Sequence, residues 1–571
     1  MLLSAATGQA ESRALLVGAL VALVALALAP TARLASPLAI PVIVVASRRY
    51  ARFRDQAQLH SRLKSFYERG SARLKGDWPG QGQTGEEYSQ DGHPYERDLS
   101  ILGSGSLFEL LCTARTESGR ARLAAFLLNP SDPELAISRQ GAVRELTEHK
   151  KLREELATFG SQHGGEENWQ GLTEWLDTPR AYFPRILPGV LAATAASLAT
   201  LAFAALIRLL PWSAALPWIA GIGTFHGITG FVLQRRVRAS LACGRKLAGE
   251  VSVLASGLAL LAEQRFESPL LAGLVEHSAQ APAAVRKLGW WMHWVRERDR
   301  EWLYWFSIYM MLGTQLAAAM ERWRVRYTSD LRAWLDAWAE FEALNSLACY
   351  AHEHPEDAYP EFSEVVEFDA ADLGHPLLSA EGCVRNDVRL NDTTRFLVIS
   401  GSNMAGKSTL LRSMGTNAVL ALAGAPVRAN RMRLAPFRVC ASIGAPDSLL
   451  EGKSRFMAEV ERIRDTLAAV STGGPVLFVI DEIFSGTNSQ DRRIAAEAVI
   501  RALMKGRAVG AISTHDLALT EIAALPDLHG ENVHMASRDE SSPLDFDYRL
   551  QPGVNRQSNA LAIARLAGVE V

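Results

Sequence analysis

The run Gly401-Ser402-Asn403-Met404-Ala405-Gly406-Lys407-Ser408 is bounded by glycines and closes on a lysine and a serine. Its flanks fix what it can become. Phe396–Ser400 reads as a buried strand and Thr409–Met414 as the first turns of a helix. A strand passing through such a loop into a helix aims backbone N–H groups and the positive helix end at a phosphate. Lys407 is then placed to reach β- and γ-phosphates, and Ser408 to offer its hydroxyl to Mg²⁺. Gly401, Ser402, Asn403, Met404, Ala405, Gly406 and Thr409 complete the cradle for a nucleotide such as ATP.

A second run supports the same site. Val476–Ile480 is a continuous apolar run with three β-branched residues, the pattern of a central parallel strand buried on both faces. It ends in Asp481-Glu482, at the strand end where open α/β sheets bind ligands. Asp481 is placed to hold Mg²⁺ and Glu482 to polarise the water that attacks a γ-phosphate. Ala508–Thr514 is another strand-like run, ending in His515. In that company His515 reads as a γ-phosphate sensor.

With these residues the chain resembles the MutS mismatch-repair family, a branch of the ABC-type ATPases. The family's loop G-P-N-M-G-G-K-S-T appears as Gly401 to Thr409, and its signature G-x-S-T-F-M-x-E as Gly452-Lys453-Ser454-Arg455-Phe456-Met457-Ala458-Glu459. Its D-E-x-x-x-G-T appears as Asp481 to Thr487, and its T-H as Thr514-His515. His375-Pro376 resembles the opening of its ATPase domain and Asp547–Gly553 the closing strand. The resemblance implies an ATP hydrolase working as a homodimer, its two ATPase domains paired head to tail. Ser454 would then contact, in trans, the ATP held by the partner's Lys407. It also makes DNA a possible ligand.

The 571 residues suit several domains. A net charge of −2 announces no global basic field for nucleic acid. The five cysteines lack metal-ligand spacing and suit a reducing compartment. Hydrophobicity is concentrated in four runs: Ala14–Ala32, Leu34–Ser47, Ile186–Ile207 and Leu209–Gln234. About 20 such residues span a bilayer, so the third and fourth qualify well, whereas the second is short and broken by prolines. Arg48, Arg49, Arg52 and Arg54 follow the first pair. Arg180 and Arg185 precede the second pair, and Arg235, Arg236 and Arg238 follow it. This positive-inside pattern predicts two transmembrane hairpins in a cell (inner) membrane, with the ATPase domain cytoplasmic. Ala27-Leu28-Ala29 mimics a signal cleavage site, but export would strand a nucleotide site away from ATP. Trp302–Met320 is also uncharged; a fifth span would invert the topology, so it reads as a core helix.

The expected organisation is a first hairpin over 1–47, a cytoplasmic helix and linker over 48–92, in which the Gly-, Gln-, Asp- and Glu-rich 76–92 reads as the flexible linker, and MutS-like lever helices over 93–185. A second hairpin then occupies 186–234, where the family inserts its DNA clamp, followed by further lever helices over 235–360 and the α/β ATPase domain over 361–571. Residues 93–128 read as one amphipathic helical stretch. Within it Ser106-Leu107…Leu110-Leu111…Thr116…Gly119-Arg120 resembles the start of the family's lever. Trp334, Trp338, Phe341 and Leu344 trace one buried helical stripe. Phe66-Tyr67-Glu68 echoes the family's mismatch wedge, but its charged neighbours read as a helix. The mismatch-recognition domain has no counterpart, and the helix 556–567 leaves little room for a dimerisation tail. Two functions follow: a membrane-anchored ATPase that senses DNA, or an ATP-driven mechanochemical membrane protein with no DNA ligand.

Overall fold

The computed structural model describes residues 36–159, 170–242, 244–298, 307–402, 404–444, 455–485, 488–536 and 546–555. It divides into two units. One comprises the described residues up to Ala72 with those of 150–165; the other comprises Arg73–His149 and the described residues beyond 165. In the smaller unit, α1 (Ser36–Lys75) runs unbroken from the second apolar run through the arginines that follow it. No helix end therefore marks the expected boundary at residue 47. Arg62 donates to the Thr158 carbonyl at 2.9 Å. Tyr67 donates to Glu154, a bond that raises the Tyr67 phenol pKa. Phe66-Tyr67-Glu68 thus lies within a helix. The first apolar run lies outside the described residues.

The larger unit opens on irregular chain. Residues 76–92, expected as a flexible linker, are held in place: Gly82 N donates to Glu109 Oε1 at 2.8 Å, Gly103 N to Thr84 O at 2.8 Å, and Trp78 is buried. A side chain at Gly82 or Gly85 would come within 2.8 Å of Glu109 or 2.7 Å of Phe108, so glycine there serves close approach rather than slack. The expected helix through 93–128 is also broken, into a short helix Leu107–Leu111 and α2 (Glu117–Leu128). Caps make the breaks. Ser106 Oγ accepts from Glu109 N and Thr116 Oγ1 from Gly119 N, each pairing a donor that a first helical turn leaves open.

Further helices follow: α3 (Pro133–Glu148), α4 (Leu187–Leu206), α5 (Trp212–Ala242), α6 (Gly244–Ala262), α7 (Ala281–Glu297) and α8 (Leu312–Glu353). Among the described residues α4 and α5 are the helices long and apolar enough to cross a membrane, and only 22% and 11% of their apolar windows are buried. Neither is a core helix. The run Trp302–Met320 is not the single core helix expected: it turns at Met310 and Met311, where Met311 has φ 51°, before α8 begins. Along α8 the predicted stripe of Trp334, Trp338, Phe341 and Leu344 is buried. Glu342 is buried beside it and accepts from Arg115 N at 3.0 Å, Thr116 N at 3.4 Å and the Thr116 hydroxyl. Burial pushes its carboxyl pKa up, against the pull of those bonds.

The carboxy-terminal region is mixed α/β. A small sheet contains β1 (Glu361–Phe362), β2 (Phe368–Leu373), β3 (Asn386–Leu390) and β5 (Arg431–Leu434), in the order β1-β5-β2-β3. The main sheet has β4 (Phe396–Ser400), β6 (Arg438–Ser442), β7 (Val476–Asp481), β8 (Ala508–Thr514), β9 (Gly530–His534) and β10 (Gln551–Pro552). Its order is β10-β9-β4-β8-β7-β6, parallel except for β10. β4 and β8 are buried along their whole length, as their apolar sequences predict. After β4 comes α9 (Lys407–Ala423), packed against β6–β8 on one side and α2 and α3 on the other. α10 (Arg455–Ser471) and α11 (Ser489–Met504) complete the region.

Two joints tie it to the helices. Asp98 is buried and accepts from Ile443 N at 2.6 Å and from Arg462 of α10. Asp357 accepts from Tyr350 at the end of α8 at 3.0 Å and from Arg428 at 3.1 Å.

Candidate functional site

β4 pairs with β8 on one flank and β9 on the other, so its carboxyl end opens centrally on the sheet. There the chain must be glycine. Gly401 has φ 155°, and a Cβ would sit 2.6 Å from the Met535 carbonyl oxygen. Gly406, at φ 97°, heads α9. Lys407 folds back over the loop, donating to Gly401 O at 2.9 Å and Ser402 O at 2.8 Å. Burial lowers its pKa, opposed by the attraction of Glu482 and Asp481.

The acidic pair meets this loop directly. Ser408 Oγ donates to Asp481 Oδ2 at 2.6 Å, and Ser513 at the end of β8 donates to Asp481 Oδ1. Glu482 N donates to Ser513 O at 3.1 Å, with Glu482 itself at φ 50°. The Glu482 carboxylate lies 3.1 Å from His515 Nδ1, and both side chains retain solvent access. Ser408 and Asp481 form a pair of hard oxygen donors of the kind that suits Mg²⁺, which takes few protein ligands and keeps its waters.

The structure therefore brings together Gly401, Ser402, Gly406, Lys407, Ser408, Asp481, Glu482 and His515. Met404 is an exposed lip of the loop, Ala405 is buried beneath it, and Thr409 faces outward as the third residue of α9. Asn403 and Ser454 lie outside the described residues.

Sequence reasoning passed over three supporting groups. Ser513 is one, although strand alternation puts it on the same face as His515. Glu459, quoted only as the last letter of a motif, accepts from Phe484 N and holds the turn after the acidic pair. Arg492 donates to Phe484 O at 3.1 Å and Ser485 O at 3.2 Å and pairs with Asp516 at 3.4 Å. Nothing in the sequence around Arg492 announces this.

Beside the start of α9 lies a cavity of about 210 Å³, lined in part by His375, Cys383, Gly406, Thr409, Ser413 and Tyr548. Asn386 fixes its rim, donating to Tyr548 O at 3.0 Å and accepting from Leu550 N at 2.7 Å. Burial holds His375 neutral, its pKa lowered to about 4.

A glycine loop between a central parallel strand and a buried helix, facing an acidic strand end, defines the class: a mixed α/β domain built around a phosphate-type loop, carried on a helical region. Comparison with known proteins shows what this region is similar to. Residues 397–571 match the model of MutS domain V. The chain is 34% identical over 238 residues to a DNA mismatch repair protein MutS of Lactobacillus delbrueckii subsp. bulgaricus, covering 40% of this chain and 28% of that protein. It is 33% identical over 285 residues to the DNA mismatch repair protein MSH3 of Phaeosphaeria nodorum, covering 48% and 25%. It is 33% identical over 261 residues to a MutS of Oleidesulfovibrio alaskensis, covering 44% and 28%. This region is similar to the MutS family, and the mixed α/β sheets and helical middle region fit that architecture. The matches span about a quarter of the length of these relatives.

Proposed function

We propose that the chain binds ATP with Mg²⁺ at the loop 401–409 and hydrolyses it as a P-loop ATPase of the ABC type. The observation that carries this reading is the 2.6 Å contact of Ser408 with Asp481, which makes the loop and the acidic pair one site. Lys407 would exchange its two loop carbonyls for phosphate oxygens. Ser408 and Asp481 would hold Mg²⁺, which would neutralise phosphate charge when bound. Glu482, oriented by His515 at 3.1 Å, is placed to take a proton from an attacking water, with His515 facing the γ-phosphate. The cavity beside Gly406 and Thr409 would receive the base. Two domains would pair head to tail, Ser454 of each completing its partner's site. Glu482→Gln is expected to bind ATP normally and lose about 10²–10⁴-fold in turnover, and Lys407→Ala to weaken nucleotide binding. Parental turnover in Glu482→Gln would refute the assignment of the base.

The chain is further proposed as a membrane-anchored protein, with α4 and α5 in a cell membrane and the ATPase domain cytoplasmic. Exposed Phe203, Leu206, Trp218 and Phe231 on that hairpin support a lipid partner. An amino-terminal hairpin over 1–47 would be a second anchor. DNA is the proposed ligand because the relatives are named for mismatch repair. A reading without DNA, in which ATP drives the membrane helices alone, is favoured by the same exposed hairpin. Turnover measured with and without DNA of several shapes separates the two.

A further inference from the structure

Just before α8, Ile308 and Tyr309 are about half exposed, and the carbonyls of residues 308–311 have protein partners. Ile308 O accepts from Met311 N at 3.1 Å, and Met311 O from Thr314 N and Gln315 N at 3.0 and 3.1 Å. Met310 O accepts from the Gln315 side chain at 2.7 Å. Tyr309 O lies 3.0 Å from Nδ1 of His226, a buried residue in the middle of α5. A carbonyl only accepts, so Nδ1 carries the proton; Nε2, 2.8 Å from Thr194 Oγ1 of α4, then accepts from that hydroxyl. The bonds to Ile308 O and Met311 O are those of any turn that leads into a helix; the Tyr309 carbonyl is instead paired by a side chain from the middle of α5, as backbone needs where no water reaches it.

Depth points the same way. His226 lies nine residues before Arg235, and Thr194 nine after Arg185. At about 1.5 Å per residue each is about 13 Å from its charged end, close to half of a hydrocarbon layer about 30 Å thick. α8 starts along α5: a side chain at Gly230 would meet Met311 at 3.7 Å, whereas one at Gly313 would meet the Arg298 guanidinium and, at 3.8 Å, Val237, which sets Gly313 level with the arginines that end the hairpin. We propose that Ile308–Leu312 is a third membrane-inserted element, a re-entrant turn whose tip reaches the lipid midplane and is pinned there by His226. The inference rests on α4 and α5 being membrane-embedded. Because a re-entrant turn returns to its own side, it leaves the cytoplasmic placement of the ATPase domain intact. The lipid acyl chains are its partner, and the 42-residue α8 would begin inside the bilayer and end beside Asp357.

The test uses the full chain in phosphatidylcholine–phosphatidylglycerol vesicles, its native cysteines replaced by alanine. Nitroxide labels are placed at Tyr309→Cys, at Phe231→Cys on the hairpin and at Ala333→Cys on the exposed face of α8. Collision with oxygen reports lipid, and collision with a nickel chelate reports water. The expected result is oxygen preference at 309 and 231 and nickel preference at 333. Nickel preference at 309 with oxygen preference at 231 overturns the re-entrant turn and leaves the hairpin standing. Nickel preference at both removes the membrane reading and this inference with it. His226→Leu is expected to shift the label at 309 towards water without moving that at 231. No shift at 309 would overturn the pinning role of His226.

Discussion

Glu459 and Arg492 show how the acidic pair is held. The chain turns sharply after β7, with positive φ at Glu482 and Phe484, and Glu459 from α10 accepts from Phe484 N at that turn. Truncating it leaves a buried N–H unpaired and frees the segment that aims Glu482. Glu459→Ala is expected to lower turnover at least tenfold, since a misplaced catalytic group loses rate steeply, while ATP binding changes little. Equal losses in binding and turnover would show that the whole site had collapsed instead. His375 gives a pH signature. Its folded pKa of about 4 lies below the ordinary 6.5, so the unfolded chain takes up the proton first as pH falls. The stability this residue contributes is complete above pH 6.5 and is lost as pH falls towards 4, by about 3 kcal/mol. His375→Asn, which can keep an acceptor for Leu377 N, should lack this loss in denaturation midpoints of the detergent-solubilised chain. Parallel pH curves for the two proteins would contradict the cause. At this scale the loop and the acidic pair were legible because their chemistry is written in consecutive letters. Ser513 and Arg492 were not, because a hydrogen bond across strands or from a helix leaves no spacing to read.

Elements were legible where one physical cause dominated. The stripe through Trp334, Trp338, Phe341 and Leu344 gave α8 its buried face, and the apolar runs gave β4, β7 and β8. The expected helix through 93–128 failed because Ser106 and Thr116 cap new helices, a local signal that the hydrophobic periodicity masks. The linker over 76–92 failed because its glycines admit Glu109 and Phe108 closely, which composition alone reads as slack. Glu342 joins α8 to the cap of α2, and it carries the prediction at this scale. Glu342→Ala strands Arg115 N, Thr116 N and the Thr116 hydroxyl, and is expected to cost about 2–4 kcal/mol. Glu342→Gln keeps an oxygen acceptor and cannot ionise, so its cost should stay within about 1 kcal/mol. If glutamine proved as damaging as alanine in the same denaturation assay, the charge and not the acceptor would be the working feature.

For the whole molecule, the net charge of −2 and the outward apolar faces of α4 and α5 act in the same direction. A chain with so little net charge and so large an exposed apolar surface would associate in water rather than remain dispersed. A bilayer removes that surface by the same hydrophobic free energy that builds a core. After cell disruption the chain is therefore expected to stay in the membrane fraction through 1 M salt and through alkaline carbonate, and to leave it only with detergent. Salt release would mean attachment through the arginines alone, which screening abolishes. In inside-out vesicles, the proposed orientation, with the flanking arginines cytoplasmic and the hairpin loop on the far side, requires that protease cut the α/β domain while sparing α4 and α5. Protection of the α/β domain in those vesicles, with cleavage in the hairpin loop, would reverse the orientation and separate the nucleotide site from cytoplasmic ATP.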